Sequence, residues 1–438
     1  MRRPRLRSPH DRDIFRLAVP SLGALIAQPL YIITDTAIVG NIGTEELAGL
    51  ALASTVVLGL SSILVFLAYG TTGQVGRAIG AGGERRAAEL GAQAMWLAIA
   101  IGIAVTILLL LVGDTVLGWF GAEPAVEEHA STYLNISAIG FPFILITMAG
   151  TGYLRGTQDT TTPLIVAVST AVLNLVVELW FVFGLDMGIA GSAWSTVLAE
   201  GVGAVVYVVV VGRAVQRLGA SVRPDVAMLT TSAIQGVHLL VRTLALRAAF
   251  VIAVVIAATM STIDLAAHEI AIQIWFLTAL TLDAIAIAGQ ALVARHLGAD
   301  DATTARDASD RMIELSIAFG VLVGVVLVAI AGPLSTVFSD DDAVVDLAAF
   351  LLVWVAVMQP VSGHVFALDG ILIGAGDLAY LGRAMWIATI TFAVLGGAVV
   401  LTDAGIGWLW AALLAFTIVR SVTLQLRYRT DDWLVTGA

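Results

Sequence analysis

PLIVAVSTAVLNLVVELWFVFG, residues 163–184, is a run of 22 residues that carries one charge, Glu178. It is apolar all the way round a helical wheel, so it offers no wet face to water. At 1.5 Å per residue a helix of this length is about 33 Å long, enough to cross a hydrocarbon core of roughly 30 Å. Eleven more runs of the same kind lie at roughly 14–39, 47–72, 91–112, 132–153, 189–212, 233–259, 265–290, 312–332, 344–372, 379–401 and 405–426. Charged residues make up 13% of the chain, about half of what a soluble domain carries. A surface so poor in charge needs lipid as its solvent. The absence of Cys excludes a disulfide frame, a thiolate metal site and a Cys nucleophile. The six His residues show no metal-ligand spacing. The start, MRRPRLRSPHDRDIFRLAVP, runs into a long apolar segment without a small-residue cleavage site, and reads as a retained first helix.

The basic residues are all Arg, and they fall in alternate connections. They lie in the N-terminal stretch (Arg2, Arg3, Arg5, Arg7, Arg12, Arg16), at Arg77, Arg85 and Arg86, at Arg155, and at Arg213, Arg217 and Arg223 with Arg242 and Arg247 toward the same end of the next span. They return at Arg295, Arg306 and Arg311, at Arg383, and at Arg420, Arg427 and Arg429 near the C-terminus. The other connections carry acids: Glu45 and Glu46, Asp114 with Glu123, Glu127 and Glu128, Asp186, Asp264, Asp340–Asp342 with Asp346, and Asp403. One span too many or too few would scramble this alternation. The positive-inside bias therefore implies an even number of spans and cytoplasmic termini.

The second half echoes the first at a constant shift of 218. Leu47-Ala48 matches Leu265-Ala266, Arg77 matches Arg295, Gly80-Ala81 matches Gly298-Ala299, and Pro142 matches Pro360. Gly152, Leu154, Gly156 and Asp159 match Gly370, Leu372, Gly374 and Asp377. A repeat of six spans enters and leaves on the same side, so the two copies run parallel. The expected fold is an all-α membrane protein of twelve transmembrane helices, in two six-helix lobes related by a pseudo-two-fold axis along the membrane normal. The lobes are placed at 1–220 and 221–438, with the polar stretch Arg213–Ser232 as linker.

Six carboxylates fall inside the spans: Asp35, Glu178, Glu200, Glu269, Asp283 and Asp369. Such groups face a bundle interior and mark ion or substrate pathways, unless they snorkel to headgroups from a helix end. Snorkelling suits Glu269 and Asp369, which lie near span ends. Glu200 and Asp283 lie deeper and are secondary intramembrane candidates. Asp35 and Glu178 each stop five or six residues short of the outer end of their span, roughly 8–9 Å below the boundary. Asn174 is one turn from Glu178 on the same face, and Thr196 enters the sixth span at a similar depth. Together they supply hard oxygen ligands for H⁺ or Na⁺ and nothing suited to a soft metal. Two buried carboxylates repel each other, and a shared proton relieves that repulsion. The shift of 218 puts Ala253 opposite Asp35, so the halves are expected to be functionally unequal. Pro20 and Pro29 interrupt the first span, and Pro20 is the expected hinge. Thr161-Thr162-Pro163 reads as an N-cap and first-turn proline opening the fifth span. The glycines at 70–83 follow no strand, so close helix packing explains them better than a phosphate cradle.

With these residues in view the chain resembles the MATE (multidrug and toxic compound extrusion) transporters, and most closely their DinF-type subgroup. GYLRGTQDTTTP at 152–163, its echo GILIGAGD at 370–377, DMGIAGSAW at 186–194 and GQALVARHLGA at 289–299 carry the resemblance. It implies export of organic, often cationic compounds from the cytoplasm in exchange for H⁺ or Na⁺, with no other cofactor. It also implies a monomer with all spans in the cell (plasma or inner) membrane, and no nucleic-acid partner. Similar proteins use a first-helix Asp, a fifth-helix Asn and acid, and a sixth-helix Thr, which match Asp35, Asn174, Glu178 and Thr196. The first-helix Pro matches Pro20. Glu178 stands where an Asp is expected; its extra methylene would loosen a Na⁺ cage, which tips the expectation toward H⁺. The alternative is a flippase for a lipid-linked sugar carrier, which would need a strongly basic cavity. An embedded enzyme would need His, Asp or Cys motifs at a membrane face, and none stands out.

Overall fold

The computed structural model describes residues 8–437; Arg2, Arg3, Arg5 and Arg7 lie outside them. The helices are α1 (Asp11–Gly40), α2 (Thr44–Leu64), α3 (Phe66–Gly80), α4 (Glu84–Gly118), α5 (Pro124–Gly156), α6 (Thr161–Leu179), α7 (Gly188–Leu218), α8 (Val226–Met260), α9 (Thr262–Gly298), α10 (Ala302–Ser335), α11 (Asp342–Ala375), α12 (Leu378–Thr402) and α13 (Ile406–Arg429). A π-helical turn, Trp180–Gly184, prolongs α6. α2 and α3 form one span broken at Val65, so the described residues contain twelve spans long and apolar enough to cross a membrane. The fold is all-α, as expected from the apolar runs.

Most helices overrun those runs by several residues, because their polar ends continue into water under their own caps. Ser261 Oγ accepts from Asp264 N at 3.0 Å to start α9, Asp301 Oδ1 accepts from Thr304 N at 3.0 Å to start α10, and Asp341 Oδ1 accepts from Ala343 N at 2.9 Å to start α11. Each satisfies a backbone donor that a helix start leaves without a partner. Two details differ from the sequence reading. The cap of α6 comes from Asp159, whose Oδ1 accepts from Thr161 N (3.0 Å) and Thr162 N (2.9 Å). The linker is shorter than Arg213–Ser232: α7 continues to Leu218, ends at left-handed Gly219 (φ +60°), and α8 begins at Val226. The residues between are held down on α4. Gln93 donates to Arg223 O (2.8 Å) and accepts from Asp225 N (2.9 Å), and Trp96 Nε1 donates to Val222 O (2.8 Å).

The chain forms two compact units, residues 23–236 and residues 8–22 with 237–437. In the first, α5 is the spine and α2, α3, α4 and α7 pack on it; in the second, α11 is the spine for α9, α10 and α13. The two spines are repeat-related and use the same close contacts. A Cβ on Gly102 would come within 2.5 Å of Pro142 Cα, and one on Gly320 within 2.4 Å of Gln359 O, beside Pro360. A Cβ on Gly152 would meet Ala68 O at 2.5 Å, and one on Gly370 would meet Ala286 O at 2.3 Å. Gly156 and Gly374 sit likewise against Thr72 O and Gln290 O. Each pair is separated by 218 residues on both sides of the contact. Backbone meets backbone at these crossings, which is how helices associate where lipid gives no hydrophobic drive.

Asp369 does not snorkel. It is 5% exposed, and its Oδ2 accepts from Arg242 Nη2 at 2.6 Å and from Arg420 Nη2 at 2.7 Å. The countercharges come from α8 and α13, whose approach no linear spacing reveals. Breaking such a pair leaves a buried charge without its partner, so the group is fixed rather than mobile.

The Gly370→Val variant is expected to lose stability by about 1–3 kcal/mol, the usual cost of overpacking, whereas Gly212→Val, with open space around its Cβ, should change little. Melting temperatures of the purified variants check this; equal values for both would contradict the close crossing.

Candidate functional site

In the unit of residues 23–236, the four residues singled out by depth come together. α1 carries Asp35 near its end at Gly40, and Tyr31 one turn before it on the same face. α6 carries Asn174 and Glu178, also one turn apart, and the π-helical turn begins two residues later. Single π turns inside helices are frequent at functional sites. The first turns of α7 carry Ser192, Ser195 and Thr196, and α5 adds Tyr133.

Asp35 and Glu178 are 5% and 0% exposed. Asp35 Oδ1 accepts from Ser192 Oγ at 2.6 Å, and its Oδ2 accepts a long bond from the Tyr133 hydroxyl at 3.5 Å. Asn174 Nδ2 donates to Ser195 Oγ (3.1 Å) and reaches Thr196 Oγ1 at 3.5 Å. Thr196 Oγ1 shares a further hydrogen bond with the Tyr31 hydroxyl. Glu178 lies beside the Asp35 carboxyl and the Ser192 hydroxyl, close enough for a hydrogen bond to Asp35 once one of the two carboxyls carries a proton. Two buried carboxyls side by side are costly unless a proton or a cation joins them.

The donor set is two carboxyls, one amide and several hydroxyls, so it fits a proton or a small hard cation. The described residues contain no group of three or more His, Cys, Asp or Glu that could hold a metal ion. Glu200 lies one turn beyond Thr196 on α7, next to Thr147 of α5. Asp283 is outside this cluster, half-buried on α9 in the other unit. Pro20 is also elsewhere: α1 runs unbroken through it, and Ser21 Oγ donates to Leu17 O at 2.7 Å beside it. Among its described residues the second unit has no equivalent set at the repeat-related positions. The shift of 218 carries Asp35, Asn174, Glu178 and Thr196 onto Ala253, Phe392, Gly396 and Leu414, and Ala253 and Phe392 are fully buried in that unit's apolar core.

The sequence reading missed Tyr31, Tyr133, Ser192 and Ser195. Helical spacing could have found three of them, since Tyr31 precedes Asp35 by four and Ser192 and Ser195 precede Thr196 by four and one. Nothing in the linear order ties Tyr133 to Asp35, ninety-eight residues away.

The family model described as MatE matches the chain twice, over residues 20–180 and 239–399. The protein called DETOXIFICATION 44, chloroplastic, of Arabidopsis thaliana is 30% identical over 96% of this chain and 83% of its own length. The DNA damage-inducible protein F of Escherichia coli is 27% identical over 96% of this chain and 92% of its own. A solved MOP superfamily transporter from Pyrococcus furiosus superposes with a TM-score of 0.86 at 20% identity, covering 97% of this chain and 96% of that one. The chain belongs to the MATE family of multidrug efflux transporters, a family of membrane transporters and not of enzymes.

The Ser192→Ala variant removes a short hydrogen bond to a buried carboxyl and is expected to cost about 1.5–3 kcal/mol of stability, the range for bonds to charged groups. A thermal melt of the purified protein reads this, and an unchanged melt would mean that Ser192 does not hold Asp35.

Proposed function

We propose that this chain is a cation-coupled antiporter that exports organic, often cationic compounds by alternating access, with Asp35 and Glu178 as its ion-loading pair. The observation that carries this reading is the Glu178 carboxyl, fully buried beside a second buried carboxyl, Asp35. In such a place either a cation joins the two carboxylates or a proton neutralises one of them. H⁺ is the favoured ion, and Na⁺ held by Asp35, Asn174, Glu178 and Thr196 is the alternative.

Loading couples to export because the ion and a cationic cargo both offset the same negative charge. Whichever binds weakens the other, and that mutual effect is equal in both directions. The gradient and membrane potential then drive the cycle, with about 2.3 kcal/mol per charge for each 100 mV. Pro20 supports a hinge: residues 11–22 of α1 belong to one compact unit and residues 23–40 to the other, so the changeover falls just after the proline. The Arg-rich connections favour cytoplasmic termini in a plasma or inner membrane, and the unit carrying the site needs no second copy, which favours a monomer. The flippase alternative would need a strongly basic cavity; of Arg242 and Arg247, the arginines of the seventh span, Arg242 is paired with Asp369.

In proteoliposomes of the purified chain, an imposed pH gradient is expected to drive ethidium uptake, a Na⁺ gradient to drive little, and Asp35→Asn to abolish the coupled flux. Uptake in Asp35→Asn at the wild-type rate would remove Asp35 from the coupling site. Pro20→Ala should slow turnover while leaving ethidium affinity within about twofold; equal transport rates would remove the hinge.

A further inference from the structure

On α7, Ser192, Thr196 and Glu200 follow one another at intervals of four, so they share one face. On α5, Thr147, Thr151 and Arg155 do the same. These two helices pack face to face in the unit of residues 23–236. A Cβ on Gly150 would come within 2.4 Å of the Tyr207 ring, and one on Gly203 would lie 3.5 Å from Thr147 Oγ1. The polar rows therefore face each other along one seam. Glu200 stands against the Thr147 hydroxyl, within its hydrogen-bonding reach. Next along the seam, Thr151 Oγ1 donates to the Tyr207 hydroxyl at 3.0 Å. Tyr207 lies within electrostatic reach of Glu200 on one side and of Arg155 and Asp159 on the other. Around the polar row of α7 the side chains are apolar: Ala199, Ala204 and Val211 are all buried. In the repeat-related seam of the second unit, Ile418 and Val365 stand where Glu200 and Thr147 stand here.

An acid that a lipid-embedded seam does not need for packing, and that the repeat replaces with Ile, needs another reason to be there. We propose that Glu200 is a proton relay, through which the Asp35–Glu178 pair discharges along the α5–α7 seam to the Arg155–Asp159 end of the same unit. The proposal rests on the proton branch of the antiport reading. An O–H bond breaks at the loaded carboxyl of the pair and one forms on the Glu200 carboxylate, so the pair regains its negative charge. Glu200 then gives the proton, past the Thr151–Tyr207 hydroxyls, to water at the Arg155–Asp159 end and is a carboxylate again. The path is interrupted at rest. No hydrogen bond among the described residues joins Thr196 to Glu200 or Glu200 to Tyr207, and Thr196 and Glu200 stand about 6 Å apart along the helix axis. Water would have to bridge each gap, and an open gap prevents a leak between transport cycles. Glu200 touches neither the loaded ion nor cargo in this scheme; it acts on the rate at which the ion leaves.

The test uses the full chain in proteoliposomes loaded with pyranine, with an ethidium gradient driving proton flux. Glu200→Gln is expected to slow the flux tenfold or more, as loss of a positioned proton carrier does, while ethidium binding, read by fluorescence polarisation, stays at the wild-type affinity. Glu200→Asp should recover much of the flux, and Tyr207→Phe should slow it with binding unchanged. Wild-type flux in Glu200→Gln, together with loss of flux in Asp35→Asn, would overturn the relay and leave the coupling pair intact. Weakened ethidium binding in Glu200→Gln would overturn it too, by making Glu200 a cargo contact. Wild-type flux in Asp35→Asn as well would instead overturn the coupling reading on which the relay rests.

Discussion

Two helix backbones can touch only where no side chain stands between them, and the rest of this molecule depends on that constraint. Lipid is as apolar as leucine, so burial of apolar surface does little to hold spans together; close packing must do it. α5 and α11 meet their neighbours at glycines spaced so that backbone carbonyls of α3, α9 and α11 lie where a Cβ would be. The same crossings recur 218 residues apart, on both partners at once. The internal repeat is thus a repeat of contacts, and the sequence similarity between halves survives where those contacts demand it.

On that common scaffold the two units spend their interiors differently. The unit of residues 23–236 gathers Asp35, Glu178, Asn174, Thr196 and four further hydroxyl-bearing side chains, with two carboxyls side by side. The unit of residues 8–22 and 237–437 puts Ala253 and Phe392 at the matching places and closes them in an apolar core. Its buried carboxylate, Asp369, is locked by two guanidiniums. A carboxyl neutralised by fixed Arg has no use for a mobile cation, and a carboxyl without one does. The electrostatic difference between Asp369 and Glu178 therefore separates a structural ion pair from the proposed ion-loading site.

Span number, helical class and the repeat were legible because each is written in period, length and charge position, which lipid enforces along the chain. The common depth of Asp35, Asn174, Glu178 and Thr196 was legible too, since depth in a membrane follows from residue count, but not that their helices adjoin. What sequence could not show was rotation of each helix about its axis. Tyr133 and the Arg242–Asp369–Arg420 group needed the facing of α1 with α5, and of α8, α11 and α13, which no spacing encodes. The overlong linker had a different cause: Arg213 and Arg217 read as loop because they are charged, but a helix leaving the bilayer carries such residues freely up to its glycine cap. The π-helical turn after Glu178 left no mark beyond an apolar run.

The central claim is that a cation and a cargo compete for the Asp35–Glu178 pair, and counting protons tests it most directly. Purified protein in weakly buffered detergent is titrated with ethidium while released protons are measured, for the wild type and for Asp35→Asn combined with Glu178→Gln. The account predicts release of about one proton per bound dye from the wild type, as a coupled carboxyl pair sharing one proton would give, and none from the double variant. Equal release from both proteins would place the titrating group elsewhere and contradict the account.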